Sequence, residues 1–316
     1  MPKTEPGIYY NLPMPDYLDI AAANATRLKL LDRSPAHYRE FTPRKPTASL
    51  TFGSICHTAL LEQSEFDDRY VVMPAYEQDK ENQTATGKPT TSKNTKYYRG
   101  KLAEFQQKHD GKEVISAEDW DRAWECSEAC HRNERAADLL RAEGETEVTI
   151  VWQEEVTAKS GQVVDFPCKA RLDKLITGDA ALELTGGESD YLIVDLKTTA
   201  DLADFGTAIA RYRYDLQLEF YQYGLLSRLG TGGEIGIAAE IVAVETEAPY
   251  FVHAAPVDTT RAAVDLPRLL FLLAECIDQD DWPAPYAAGD AWNLPGWFLP
   301  KPTAPALTVG GKPLSM

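Results

Sequence analysis

Two short stretches constrain this chain more than any others: Cys168-Lys169-Ala170-Arg171-Leu172-Asp173-Lys174 and Tyr191-Leu192-Ile193-Val194-Asp195-Leu196-Lys197-Thr198-Thr199. Both read as strands, and each delivers an Asp. Residues i and i+2 of a strand share a face. Asp195 and Lys197 therefore project together, roughly 7 Å apart along the chain, while Leu192, Val194 and Leu196 fill the other face. Carboxylates and an ammonium on one sheet surface suit metal-assisted phosphodiester cleavage. The carboxylates hold a hard divalent cation through oxygen. The cation activates water and neutralises the phosphate, and the Lys orients the water or stabilises developing charge. A single Asp in an apolar strand is more often a structural ion pair, because burying it unpaired is expensive. Two on successive strands, with Lys197 beside one, favour a site.

The surrounding pattern places these strands in an α/β chain. Ser34-Pro35 starts an early helix, with Ser34 as cap and Pro35 at the first position. Ser49 to Glu62 reads as a helix carrying Ile55, Ala59 and Leu60 at core spacing, with His57 on or near the same face. Such a histidine, taken alone, is more often a satisfied helix residue than a ligand. Residues 77–96 are polar and lack periodicity, which predicts a long mobile loop. Amphipathic helices are expected over 97–109 and 117–142.

From Glu145 the period becomes two, with Thr146, Val148, Ile150 and Trp152 facing inward and Lys159-Ser160-Gly161 supplying a turn. Glu145 and Glu147 lie at this point, and spacing selects neither as a ligand. The acidic insert 177–190 reads as a loop or hairpin tip. A helix over 201–229 is expected to bury Tyr212, Leu216, Phe220 and Tyr223. Gln217 and Tyr221 sit one turn apart on it, which alone is only a polar stripe. Apolar residues 235–244 predict a central strand buried on both faces, followed by a strand at 250–257 and a closing helix at 261–278. The expected organisation is one domain over 1–316: a mainly helical part (1–142), a catalytic sheet with flanking helices (143–280) and a Pro/Trp-rich extended tail (281–316). The fold class is α/β, with a mixed central sheet between helices.

Net charge is −17, from 49 acidic and 32 basic residues. That argues mildly against non-specific nucleic-acid binding but leaves room for a local basic groove. Lys88, Lys93, Lys96, Arg99 and Lys101 cluster in or beside the polar loop and are expected to line a DNA approach; Lys169, Arg211 and Arg213 are the alternative channel. Cys126 and Cys130 are four apart, with no second pair to complete a zinc or iron–sulfur set. Five scattered Cys read as free thiols of a reducing, cytoplasmic setting. No apolar run is long enough to span a bilayer. There is no G-x-x-x-x-G-K-[ST] loop, strand-linked G-x-G-x-x-G, H-E-x-x-H helix or G-x-S-x-G elbow.

Five stretches in order resemble the PD-(D/E)XK nucleases, and within them the RecE-type exodeoxyribonuclease domain of phages and prophages. Ser34-Pro35-Ala36-His37-Tyr38 resembles its S-P-x-H-Y helix. Phe52-Gly53-Ser54-Ile55-Cys56-His57-Thr58-Ala59-Leu60-Leu61-Glu62 resembles its F-G-x-x-x-H-x-x-L-L-E helix. Cys168 to Asp173 resembles C-x-x-R-x-D, Asp195 to Ala200 resembles D-x-K-T-T-A, and Tyr212 to Tyr221 resembles Y-R-Y-x-x-Q-x-x-x-Y. The likeness runs from about residue 9 to 300. It implies that Asp173 and Asp195 bind metal, with His57 as a further ligand or near-ligand. It also implies that Lys197 is the catalytic lysine and that Gln217 and Tyr221 support the scissile phosphate or DNA end. The implied activity is Mg²⁺-dependent 5′→3′ degradation of linear double-stranded DNA, with Mn²⁺ as a possible substitute, leaving 3′ single strands for a single-strand annealing recombination partner. A homo-oligomer is implied, in the family a ring of four. An endonuclease or single-strand nuclease on the same scaffold, or a non-catalytic DNA-binding protein, are the alternatives. No motif marks the family's usual upstream Glu.

Overall fold

The computed structural model describes residues 5–42, 47–230 and 235–286, together with a strand pair, Thr308–Val309 against Lys312–Pro313. The first part of the chain runs β1 (Gly7–Tyr9), α1 (Met14–Asp19), α2 (Ala25–Arg33), α3 (Pro35–Arg39), α4 (Ala48–Leu61), α5 (Phe66–Arg69), β2 (Tyr70–Met73), α6 (Lys96–Lys108), β3 (Glu113–Ser116), α7 (Ala117–Arg132) and α8 (Glu134–Arg141). It continues with β4 (Gly144–Thr157), β5 (Val163–Thr177), α9 (Asp179–Leu184), β6 (Tyr191–Thr199), α10 (Phe205–Tyr212), α11 (Tyr214–Leu229), β7 (Ile237–Glu245), β8 (Val252–Pro256) and α12 (Thr260–Gln279). The central sheet has the order β1-β4-β5-β6-β7-β8. It is mixed: β4, β5 and β6 form an antiparallel meander, β6 and β7 are parallel, and β8 returns antiparallel. The α/β class with a mixed sheet between helices is thus as expected. Among the described residues, no helix is long and apolar enough to cross a membrane.

Each face of the sheet carries its own core. Val148, Ile150, Trp152, Leu172 and Ile193 pack with α2, α11 and α12 through Leu28, Leu31, Leu216, Phe220, Leu269 and Leu273. Leu192, Val194, Leu196, Val242 and Val244 pack with α4, α7 and α8 through Ile55, Ala123, Cys126, Cys130 and Leu139. The even residues of β6 thus bury one way, and Asp195 and Lys197 go the other, toward α11. At the middle of β4, Trp152 lies against Phe220, and its indole N–H donates to Glu154, which also accepts from Tyr223. This buried carboxylate is therefore satisfied rather than orphaned.

Ser34 caps α3, accepting from the His37 amide, with Pro35 at the first position, as its sequence predicts. Several elements differ from expectation. The helix expected over 117–142 breaks at Asn133, which caps α8 by accepting from Ala136 N–H. The helix expected over 201–229 breaks at Arg213, whose φ of 52° is left-handed. The break turns Tyr212 outward, and Tyr223 is also partly exposed. The insert 177–190 contains α9, which tucks Ala181 into the core, so it is no simple hairpin tip. Residues 77–96 form an organised set of turns around fully buried Asn82. Its amide donates to the carbonyls of Glu77, Thr90 and Ser92, and its Oδ1 accepts from Thr95. One satisfied amide supplies the order that hydrophobic periodicity could not signal. Most of the tail expected over 281–316 lies outside the described residues.

Candidate active site

The end of β6 is where the chemistry converges. Pairing between β5 and β6 stops at Lys174↔Val194. Beyond it the Leu196 N–H has no strand partner, and Asp173 takes it, its Oδ2 accepting at 2.7 Å. The splayed strands leave a notch. From α4, which meets β6 where Gly53 faces Thr198, His57 reaches across. Its Nε2 lies 3.0 Å from Leu196 O, and its Nδ1 lies 3.7 Å from Asp173 Oδ2. A carbonyl only accepts, so Nε2 carries a proton. In the neutral ring, Nδ1 then turns a lone pair on a carboxylate oxygen, an arrangement that calls for a proton or cation between them.

Asp195 is almost fully buried, its side chain 1% exposed. Oδ1 accepts from Gln217 Nε2 at 3.0 Å, and Oδ2 pairs with the Lys197 ammonium. Lys197 also donates to Leu196 O and lies 5.1 Å from the Tyr214 ring centre. Burial pulls the Lys197 pKa down, but Asp195 and Asp173 outweigh it and hold the group above its ordinary value. Burial pushes Asp173 up, against the opposing pull of His57. Gln217 Nε2 also reaches Tyr221 Oη at 3.0 Å, and burial raises Tyr221 well above a normal phenol. The structure therefore brings His57, Asp173, Asp195, Lys197, Gln217 and Tyr221 into one contact network.

Two further residues join that sequence reading did not select. Glu147 stands directly across from Asp173, between the pairs Thr146↔Lys174 and Val148↔Leu172. Its φ is 54°, a left-handed conformation that costs a side-chain residue roughly 1–2 kcal/mol. A ligand-atom set from His57, Glu147 and Asp173 lies within 4.8 Å of one another. Arg171 pairs with Glu147 at 2.5 Å and is itself fixed by Leu12 O and Thr149 Oγ1. The signal lay in the register: counting back from the Lys159-Ser160-Gly161 turn puts residue 147 opposite 173. The second is Lys29 of α2, which donates to Gln217 Oε1 at 3.0 Å. Burial and Lys197 draw its pKa down to about 7. No local pattern distinguishes it from any helix lysine.

Of the alternative basic channel, Arg211 is exposed, whereas its other two members are engaged inside the fold. Lys169 is spent on the carbonyls of Tyr17, Leu18 and Ile20. Arg213 is held by Asp32, Asp215 and Asp265.

The donor set suits a hard divalent cation. Glu147 and Asp173 offer carboxylate oxygens and His57 an imidazole nitrogen, while Asp195 lies outside this three-residue set, with Oδ1 on Gln217 and Oδ2 facing Lys197. Residues 25–285 match the family described as a PDDEXK-like domain of unknown function, and the chain belongs to that family. Its class is thus that of the PD-(D/E)XK superfamily, a nuclease-type domain. Among solved structures, a protein of Eubacterium rectale named "Putative exonuclease" is similar over 84% of this chain and 88% of its own, at 15% identity and a TM-score of 0.46. No curated protein matches.

Proposed function

We propose that this protein is a Mg²⁺-dependent 5′→3′ exodeoxyribonuclease that degrades linear double-stranded DNA. The 3′ single strands it leaves would serve a single-strand annealing partner in recombination, and the enzyme would act as a homo-oligomer. One observation carries the nuclease reading: Asp173, Asp195, Lys197 and His57 meet at the end of one strand, although 139 residues separate His57 from Leu196, whose carbonyl it touches. The 5′ polarity, duplex preference and partner rest on the RecE-type resemblance.

Asp173, Asp195 and His57, joined by Glu147, would hold the cation. The chemistry a divalent cation supplies there is activation of water and neutralisation of the phosphate. Lys197, kept charged by its two Asp neighbours, stabilises negative charge on the phosphate as water attacks phosphorus and the P–O3′ bond breaks. Gln217 fixes Asp195, and Tyr221 closes the floor beneath it. The product is a nucleotide with a 5′-phosphate.

The test uses linear duplex labelled at either the 5′ or the 3′ end, with a covalently closed circle alongside, in millimolar Mg²⁺. Early release of the 5′ label and an intact circle are expected. Cleavage of the circle would make the enzyme an endonuclease, and early 3′ release would reverse the polarity. Inactivity on every substrate would remove the enzymatic reading.

A further inference from the structure

Gln217 has two chemically different ends, and its neighbours accept only one orientation. Its Oε1 takes a hydrogen bond from Lys29, while its Nε2 faces Asp195 Oδ1 and Tyr221 Oη, each contact at 3.0 Å. Below its pKa of about 7 Lys29 is an ammonium, which can only donate, and an ionised carboxylate can only accept. A flipped amide would set carbonyl against carboxylate and NH₂ against ammonium, losing both bonds at once. The Asp195 carboxylate is thereby held by a hydrogen bond at Oδ1 from Gln217, while Oδ2 makes an ion pair with Lys197 but no hydrogen bond.

We propose that Lys29 is a positioning residue: by fixing which way the Gln217 amide points, it sets the carboxylate plane of Asp195. It acts through Gln217 and touches neither substrate nor cation. Its own placement is well defined. It comes from α2, whose Leu28 and Leu31 are anchored in the core, and its ammonium lies 5.3 Å from the Tyr214 ring centre. Lys197 lies 5.1 Å from the same ring. The sequence separation of 188 residues between Lys29 and Gln217 explains why only the folded chain reveals the link.

This inference rests on the proposed metal-dependent hydrolysis, and a double-mutant cycle separates the two. Lys29→Met, Gln217→Met and the double variant are compared with wild type. The readouts are Mn²⁺ affinity by calorimetry without DNA, kcat and KM on linear duplex, and the urea midpoint. Each single variant is expected to lower kcat and Mn²⁺ affinity about tenfold, as loss of a charged hydrogen bond implies, with KM little changed. The double variant should be no worse than either single one, because both remove the same chain of contacts. Lys29→Arg, which keeps a charged donor, should recover most of the loss. Should Lys29→Met fold poorly, Lys29→Ala, which likewise lacks a donor, takes its place in the cycle. Additive losses, a change confined to KM, or single variants that match wild type would overturn the inference. Wild type that neither binds Mn²⁺ nor cuts DNA would instead overturn the site reading, and this inference with it.

Discussion

At the residue scale, the site sets stability against chemistry. Asp173→Ala and Asp195→Asn should each cut hydrolysis ~10²–10⁴-fold, about 3–5 kcal/mol of barrier, with the fold retained. A purified variant with near wild-type turnover on linear duplex at millimolar Mg²⁺ would refute the assignment. Glu147 offers a different test, because its backbone is left-handed. Glu147→Ala and Glu147→Gly both lose the carboxylate and its bond to Arg171. Only Gly relaxes the backbone, so it should be the more stable of the two by about 1 kcal/mol in urea unfolding. Both should be impaired in cleavage. Equal stabilities would mean that position 147 stores no strain.

At the element scale, α11 is the piece that brings Gln217 and Tyr221 to β6, and two features seat it. A Cβ on Gly224 would lie 2.6 Å from the Trp152 ring, so the helix can approach β4 only because that side chain is missing. Gly224→Ala should destabilise the protein by roughly 1–3 kcal/mol through overpacking, read as a lower urea midpoint. At the other end, Arg213 ties Asp32 of α2, Asp215 of α11 and Asp265 of α12 together. Burial alone would raise Asp265, but Arg261, Arg213 and Arg268 outweigh it and hold its pKa below the ordinary value. A carboxyl depressed in the folded state contributes stability above its unfolded pKa and loses it as pH falls through the folded one. Arg213→Ala should therefore cost roughly 3 kcal/mol near neutrality. The gap from wild type should narrow as pH drops below about 4. Urea curves at several pH values would show it, and a constant gap would contradict the linkage.

At the scale of the whole molecule, the proposed function requires a chain of net charge −17 to meet a polyanion. Lys169 and Arg213 are committed to internal partners, and within the 88–101 cluster Lys101 pairs with Glu104 and Arg99 donates to Asn94 O, which leaves Lys88, Lys93 and Lys96 as the residues through which the proposed DNA approach is tested. Replacing Lys88, Lys93 and Lys96 together with Ala should weaken duplex binding and flatten its salt dependence by up to about three counterions. Turnover on saturating DNA should stay nearly constant, since these residues would steer without touching the site. An unaltered salt slope would move the DNA path elsewhere.

The sequence by itself determined the strands β4 to β8 and the alternation that aims Asp195 and Lys197 away from Leu192, Val194 and Leu196, because period and turn chemistry are local; β1, β2 and β3 are too short to carry a period and were not signalled. It also carried the motif order in which His57, Asp173 and Gln217 appear. It could not show that residues 77–96 are ordered around Asn82, because a buried amide bonded to nearby carbonyls leaves no periodic signal, nor that one helix breaks at Arg213, whose partners Asp32 and Asp265 lie far along the chain. Glu147 was half legible, since strand register places it opposite Asp173, but its left-handed backbone and its distance to His57 are properties of the packed sheet. Lys29 was illegible: an ordinary helix lysine acquires its place only when α2 and α11 close on the same core, and that closure is decided by long-range burial, not by any local pattern.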